Sequence, residues 1–219
     1  MNRTAVALGG NLPFRGQPAS HTFAAALAHL TTGRGHRLRG VARLWQSRPV
    51  HADGPDFFNT VAWIDTPLAP EAWLQCLLET EQLFGRQRSH PVAQGSLPGH
   101  FDAADVASLR APPSAARPLD LDLIWCEGQT LQTPRLTLPH PRASSRAFVL
   151  GPLLDLEKEL TDLRLPCPET GRLRSVSALW AQLPAEARAD VRPTSLGTHW
   201  PAAAAPVHSE TPAQEWGLA

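Results

Sequence analysis

The chain has 219 residues, 42% of them hydrophobic, with 20 basic and 20 acidic residues in balance. That composition fits one well-buried domain with additions, and zero net charge removes the global field that draws proteins to nucleic acid or membrane surfaces. Lys158 is the only lysine and no G-x-x-x-x-G-K-S/T loop occurs, so a bound phosphate must be held by arginine, backbone or metal.

Thr4 to Leu8 is a short apolar run that reads as a strand entering a tight turn at Gly9-Gly10-Asn11-Leu12. From about Gln17 to Leu30, Phe23, Ala26, Leu27 and Leu30 recur at helical spacing. His36 to Trp45 is predicted as a second strand, and Ser47 to Pro55, with its prolines and glycine, as a loop. Phe57 to Ile64 reads as a strand. Pro70 to Phe84 has the clearest helical period, with proline in the first turn and Gly85 after the last. Residues 89–116 are broken by prolines and glycines; so long a connection without structure of its own is a functional loop or a disordered one. Leu119 to Trp125 alternates as a strand. Pro139 to Arg142 is a turn, Ala147 to Leu156 a helical stretch broken at Gly151-Pro152, and Ser175 to Leu183 a last helix. Residues 184–219, rich in Ala, Pro and Thr, read as a largely disordered tail. The order β-α-β-β-α-β predicts an α+β, ferredoxin-like domain over residues 1–183, an antiparallel sheet with helices packed on it.

The three cysteines, Cys76, Cys126 and Cys167, are odd in number and share no C-x-x-C spacing. They read as reduced thiols, not a zinc site or a disulfide framework. The first residues run into a strand with no signal peptide or membrane span, so a cytoplasmic monomer without nucleic-acid or membrane partners is expected.

The chemistry concentrates in Arg117-Pro118-Leu119-Asp120-Leu121-Asp122-Leu123-Ile124. On a pleated strand Asp120 and Asp122 share a face, close enough to grip one hard cation or a pair. A nearby guanidinium is suited to phosphate. A solvated strand face with two unused aspartates is the plain alternative. Taken singly, Phe57 and Phe148 read first as core residues, His140 as a turn residue, and Arg86 and Arg88 as complements to a helix dipole. Asn59 within an apolar strand needs a partner.

Taken in order, Gly9-Gly10-Asn11-Leu12, Pro49 with Phe57-Phe58-Asn59, Glu81 with Gly85-Arg86-Gln87-Arg88, the Arg117–Ile124 motif, and Pro139-His140-Pro141-Arg142 with Arg146-Ala147-Phe148 resemble the 6-hydroxymethyl-7,8-dihydropterin pyrophosphokinase family of folate biosynthesis. The resemblance runs from about Thr4 to Leu183. It implies magnesium-dependent transfer of pyrophosphate from ATP to the pterin hydroxymethyl oxygen, releasing AMP. By position it implies two magnesium ions on Asp120 and Asp122, and phosphates met by Arg86 and Arg117. The nucleotide is then contacted by Arg88, Leu123, His140 and Arg146. The pterin is clamped by Phe57 and Phe148 and edged by Asn59, Ser47 and Val50. The chain departs from the family pattern in its long 89–116 loop, in Ala115-Ala116 before Arg117 where an Arg-Trp pair is often found nearby, in Arg48 before Pro49, and in Pro141 after His140. The alternatives are a relative that acts on another pterin, one that binds pterin or nucleotide without turnover, and a nucleic-acid module on the same frame. The last lacks exposed strand aromatics and a basic face. The loop is expected to be mobile in the free protein and to order over bound ATP and pterin.

Overall fold

The computed structural model describes residues 1–49, 54–86 and 116–194. Val50, Arg88 and the 89–115 part of the long loop therefore lie outside the described residues, as does the chain beyond residue 194.

Strand β1 (Asn2–Gly10) lies at the centre, between β4 (Phe57–Thr66) and β5 (Asp120–Cys126), and all three are antiparallel. β3 (Trp45–Ser47) extends the sheet beyond one end of β4, and β2 (Arg37–Val41) pairs the other end of the same edge. The stretch 36–45, expected as one strand, is thus two segments. They are separated by Ala42–Leu44, where the Ala42 amide still donates to the Val61 carbonyl at 2.9 Å but the Arg43 amide turns to the Asp155 carboxylate at 3.2 Å. The expected loop from Ser47 likewise starts later, because Ser47 is still paired with Phe57.

One face of the sheet is covered by α1 (Ala19–Thr31) and α2 (Pro70–Leu83). Val6, Leu8, Ala62, Ile64, Leu121 and Leu123 point into that layer and bury Phe23, Leu27, Trp73 and Leu77 with them. The period of two along each strand sends Ala5, Val61 and Ile124 to the other face. There they meet α3 (Ala147–Asp155) and α4 (Val176–Gln182) through Val149, Leu150, Leu153 and Leu179. The predicted break at Gly151-Pro152 does not occur, since α3 is continuous through both residues. Pro152 removes a backbone donor from the helix, but the apolar residues buried on either side of it hold the helix against the sheet. Gly151 is the point of contact: a Cβ there would lie 2.9 Å from the Trp45 ring.

Two short hairpins lie outside the main sheet, β6 (Leu131–Gln132) with β7 (Thr137–Leu138) and β8 (Leu165–Pro166) with β9 (Leu173–Arg174). The segment after Pro184, expected to open a disordered tail, instead forms a short helix α5 (Ala185–Ala189) and a strand β10 (Val191–Pro193). β10 pairs with β3 and completes the order β10-β3-β4-β1-β5. Composition missed it because a single buried residue, Val191, and an open strand edge suffice to anchor three residues. The β-α-β-β-α-β frame is otherwise as expected, with the second strand divided.

Candidate active site

The face that carries Ala5, Val61 and Ile124 is covered by α3 only at one end. At the other it opens into a cleft of about 630 Å³ whose lining includes Gly9, Asn59, Phe57, Asp120 and Asp122. Register sets two of these residues directly around Gly9. Gly9 pairs with Asn59 on one side and with Asp120 on the other, so the amide and the carboxylate flank a glycine on three adjacent strands. With strands just under 5 Å apart, those two side chains stand about 10 Å from each other across the floor. A Cβ on Gly9 would sit 3.4 Å from Asn59 Oδ1, so glycine keeps the floor open.

Gly10 serves another purpose. A Cβ there would lie 2.3 Å from the Pro118 carbonyl oxygen, a backbone clash that cannot be relieved by a rotamer change. The Arg117–Pro118 segment is pressed onto the end of β1 and fastened by Asn11. Its side-chain oxygen accepts from the Arg117 amide at 2.9 Å, while the Asn11 amide donates to the Arg117 carbonyl at 2.9 Å. The Gly9-Gly10-Asn11 motif therefore sets the root of the arginine; strand β1 runs through both glycines and turns only after them.

Asp120 sits between two guanidinia. Arg117 Nη2 donates to its Oδ2 at 2.5 Å, and Arg86 Nη1 donates to its Oδ1. Burial alone pushes the Asp120 carboxyl up, but Arg117 and Arg86 outweigh it and hold the group below its ordinary value. Arg86 also donates to Glu81, a carboxylate only 1% exposed that in addition accepts from the Leu121 amide at 2.7 Å. Glu81 thus links the end of α2 to the backbone of β5 between the two aspartates. The motif that includes Glu81 was visible in sequence, but its helix-to-strand link needed the packed structure.

Asp122 is differently placed. It forms an ion pair with Arg146 at 3.7 Å, and 39% of its side chain is exposed to the cleft. Protein crowding strips water from the carboxyl, and the Asp120 charge adds to that, raising it to about 6. Two carboxylates on one strand face, one of them disfavouring its own ionisation, suit a divalent cation that supplies the missing positive charge. Among the described residues no group of three or more His, Cys, Asp or Glu side chains converges on a point. A cation there must complete its shell with water or phosphate oxygens, as magnesium commonly does.

At the opposite end of the cleft Asn59 donates to Ser47 Oγ at 2.9 Å, both groups being buried. Phe57 and Phe148 line the cleft beside them. Each ring has a guanidinium at its face, Arg117 at 5.4 Å from Phe57 and Arg146 at 5.5 Å from Phe148. Arg86, Arg117, Asp120, Asp122, Arg146, Ser47, Phe57, Asn59 and Phe148 are thus gathered at one place. Arg86 reaches the site through Asp120 without lining the cleft, and two other candidates are not on its wall either. Leu123 is buried under the sheet with α1 and α2, so only the backbone of that segment is near the site. His140 is held by its own turn, its amide donating to the Ile124 carbonyl at 2.8 Å and its Nδ1 accepting from the Arg142 amide at 3.2 Å. Arg142, Ser145, Ala187, Asp190 and Val191 line the cleft without having been singled out for it. Nothing in the local pattern at 187–191 distinguishes it from a tail.

No helix among the described residues is long and apolar enough to cross a membrane. The sequence is similar to the 2-amino-4-hydroxy-6-hydroxymethyldihydropteridine pyrophosphokinase of Pseudomonas aeruginosa, 38% identical over 167 residues that cover 76% of this chain and 85% of that one. It is 31% identical to the enzyme of the same name from Synechocystis, over 73% of this chain and 68% of that one. The fold resembles a Plasmodium falciparum HPPK-DHPS triple mutant solved with pteroate, at a TM-score of 0.50 and 11% identity, over 88% of this chain but only 46% of the longer one. The model of the 7,8-dihydro-6-hydroxymethylpterin-pyrophosphokinase family matches residues 5–158. Those residues hold the glycine floor, the Asn59 amide, both aromatic walls and the guanidinium–carboxylate cluster, and the chain belongs to that family.

Proposed function

We propose that this chain transfers the pyrophosphoryl group of ATP to the hydroxymethyl oxygen of 6-hydroxymethyl-7,8-dihydropterin. The observation that carries this reading is the division of one cleft into a flat aromatic–amide end and a guanidinium–carboxylate end, with Gly9 between them. A planar heterocycle stacks between Phe57 and Phe148. Asn59, oriented by its bond to Ser47, meets the polar edge of the ring with its remaining donor and acceptor capacity. That directs the hydroxymethyl arm toward the aspartates.

In the reaction the hydroxymethyl oxygen bonds to the β-phosphorus of ATP as the bond from that phosphorus to the α–β bridging oxygen breaks. AMP leaves and the hydroxyl proton is released. Such a transfer asks the protein mainly for alignment and charge stabilisation. Asp120 and Asp122 are the groups for two magnesium ions, which when bound neutralise phosphate charge and align the displacement. Arg86 and Arg117, which donate to Asp120, exchange that carboxylate for phosphate oxygens when ATP enters. Arg146, within reach of Asp122, approaches the phosphates from the α3 side. Arg88 and the backbone near Leu123 and His140 complete the nucleotide contacts in this reading.

The test is AMP production from ATP, magnesium and the dihydropterin. AMP formed in step with pterin pyrophosphate supports it. Tight binding of both substrates with no AMP would leave a binding protein, and no pterin binding at all would overturn the assignment.

A further inference from the structure

We propose that α5 and β10, which lie beyond the family-matched residues 5–158, form the outer wall of the heterocycle end and that Ala187 and Asp190 are specificity-determining residues there. The inference rests on the reading of the cleft as a pterin site.

The position of this segment is set by strand pairing. Val191, Arg192 and Pro193 stand opposite Ser47, Gln46 and Trp45, and the Thr194 amide donates to the Leu44 carbonyl at 2.8 Å. Val191 is buried in the same core as Leu150, Leu153 and Leu179. Ser47 is also the acceptor for Asn59. The pairing therefore seats Val191 beside the buried amide that faces the heterocycle, and α5 with the residue that follows it brings Ala187 and Asp190 to the cleft. Across the rim Arg48, another lining residue, comes within 3.9 Å of the Asp190 carboxylate.

The chemistry of this wall is specific. Ala187 and Val191 present small apolar surface to a flat ring edge, so added bulk at 187 narrows the slot. The Asp190 carboxylate accepts from N–H groups, and the Arg48 guanidinium donates to carbonyl oxygen. A 2-amino-4-oxo heterocycle carries both kinds of group on one edge. Exposed as they are, the two charges add little to folding; their use is to select the ring.

The experiment uses the full chain and measures two affinities by titration calorimetry. One is for 6-hydroxymethylpterin in the presence of a non-hydrolysable ATP analogue, and the other is for that analogue alone. Ala187→Trp is expected to weaken heterocycle binding about tenfold or more, as overfilling a packed slot does, with nucleotide affinity within about twofold. Asp190→Ala is expected to weaken it about threefold to tenfold, the range of one modest hydrogen bond. Should Ala187→Trp fail to fold, Ala187→Cys in a Cys76→Ser background gives a second reading, the other two cysteines being buried. The new thiol should react with a maleimide several times more slowly when the heterocycle is bound, and at an unchanged rate with the ATP analogue alone. Heterocycle affinity within about twofold of the parent in both folded variants, or no protection of the thiol, overturns the wall. A parent chain that binds no heterocycle overturns the functional reading beneath it.

Discussion

The two ends of the cleft are built on different physics. At the aromatic end the floor is the neutral pair Asn59 and Ser47, placed by strand register, and the charges of Arg48 and Asp190 stand at the exposed rim. Asn59 is already bonded to Ser47 and both are buried, so that end is preorganised and loses little on binding. At the charged end, Asp120 is matched by hydrogen bonds from Arg86 and Arg117, while Asp122 has a looser ion pair with Arg146 at 3.7 Å. The end is poised for exchange: an entering polyphosphate with its cations can replace each internal ion pair with another. Removing one member leaves a charge stranded. The difference predicts that changes at the charged end act on rate and stability, and changes at the aromatic end on affinity.

The sharpest break should come from Asp120→Ala and Asp122→Ala. Each is expected to lower pyrophosphoryl transfer by at least about 3 kcal/mol of barrier, comparable to loss of a preorganised charge-stabilising group, with unfolding still cooperative. Near-parental rates in magnesium for either variant would dissolve the distinction between the two ends. Next is Glu81→Ala. It leaves Arg86 one carboxylate short and the Leu121 amide without this acceptor. Breaking a buried ion pair from one side costs about 3–5 kcal/mol, so the urea midpoint should fall markedly. A midpoint within error of the parent would show that Asp120 alone satisfies Arg86.

Phe57→Ala and Phe148→Ala test the other end. Loss of a stacking face should weaken pterin binding by roughly 1–3 kcal/mol, by analogy with base–aromatic stacking, and leave ATP binding nearly unchanged. Equal losses for both ligands would mean that the rings support the arginines above them more than the heterocycle.

The smallest effect is a proton linkage at Asp122. Its folded carboxyl titrates near 6, above its ordinary value of 3.8. A raised carboxyl keeps its proton better in the folded than in the unfolded chain. The metal-free protein should therefore lose stability from this group as pH rises from about 4 to 6, and hold level above that. A divalent cation competes with that proton. Calorimetry at pH 6 in buffers of different ionisation enthalpy should detect proton release on magnesium binding, and Asp122→Asn should abolish it. An unchanged heat across buffers would place the cation elsewhere.

Several features were legible in the sequence because they depend on local rules. Alternation put Asp120 and Asp122 on one strand face and Leu121 and Leu123 on the other. Helical spacing and proline placement marked α2, and the ordered motifs gave the family. Other features depend on what lies across the fold. That Gly9 sits between Asn59 and Asp120 is a matter of pairing among β4, β1 and β5, whose partners are far apart in the chain. That Glu81 reaches the Leu121 amide follows from how α2 packs on β5. Gly151-Pro152 reads as a break, yet burial against Trp45 keeps α3 whole. The segment after Pro184 shows the limit most clearly. Its composition is that of a tail, and only the free edge of β3, supplied by tertiary structure, turned it into a strand beside the active cleft. Periodicity and motif are properties of neighbours along the chain, whereas strand edges, registers and buried ion pairs exist only once distant segments have been brought together.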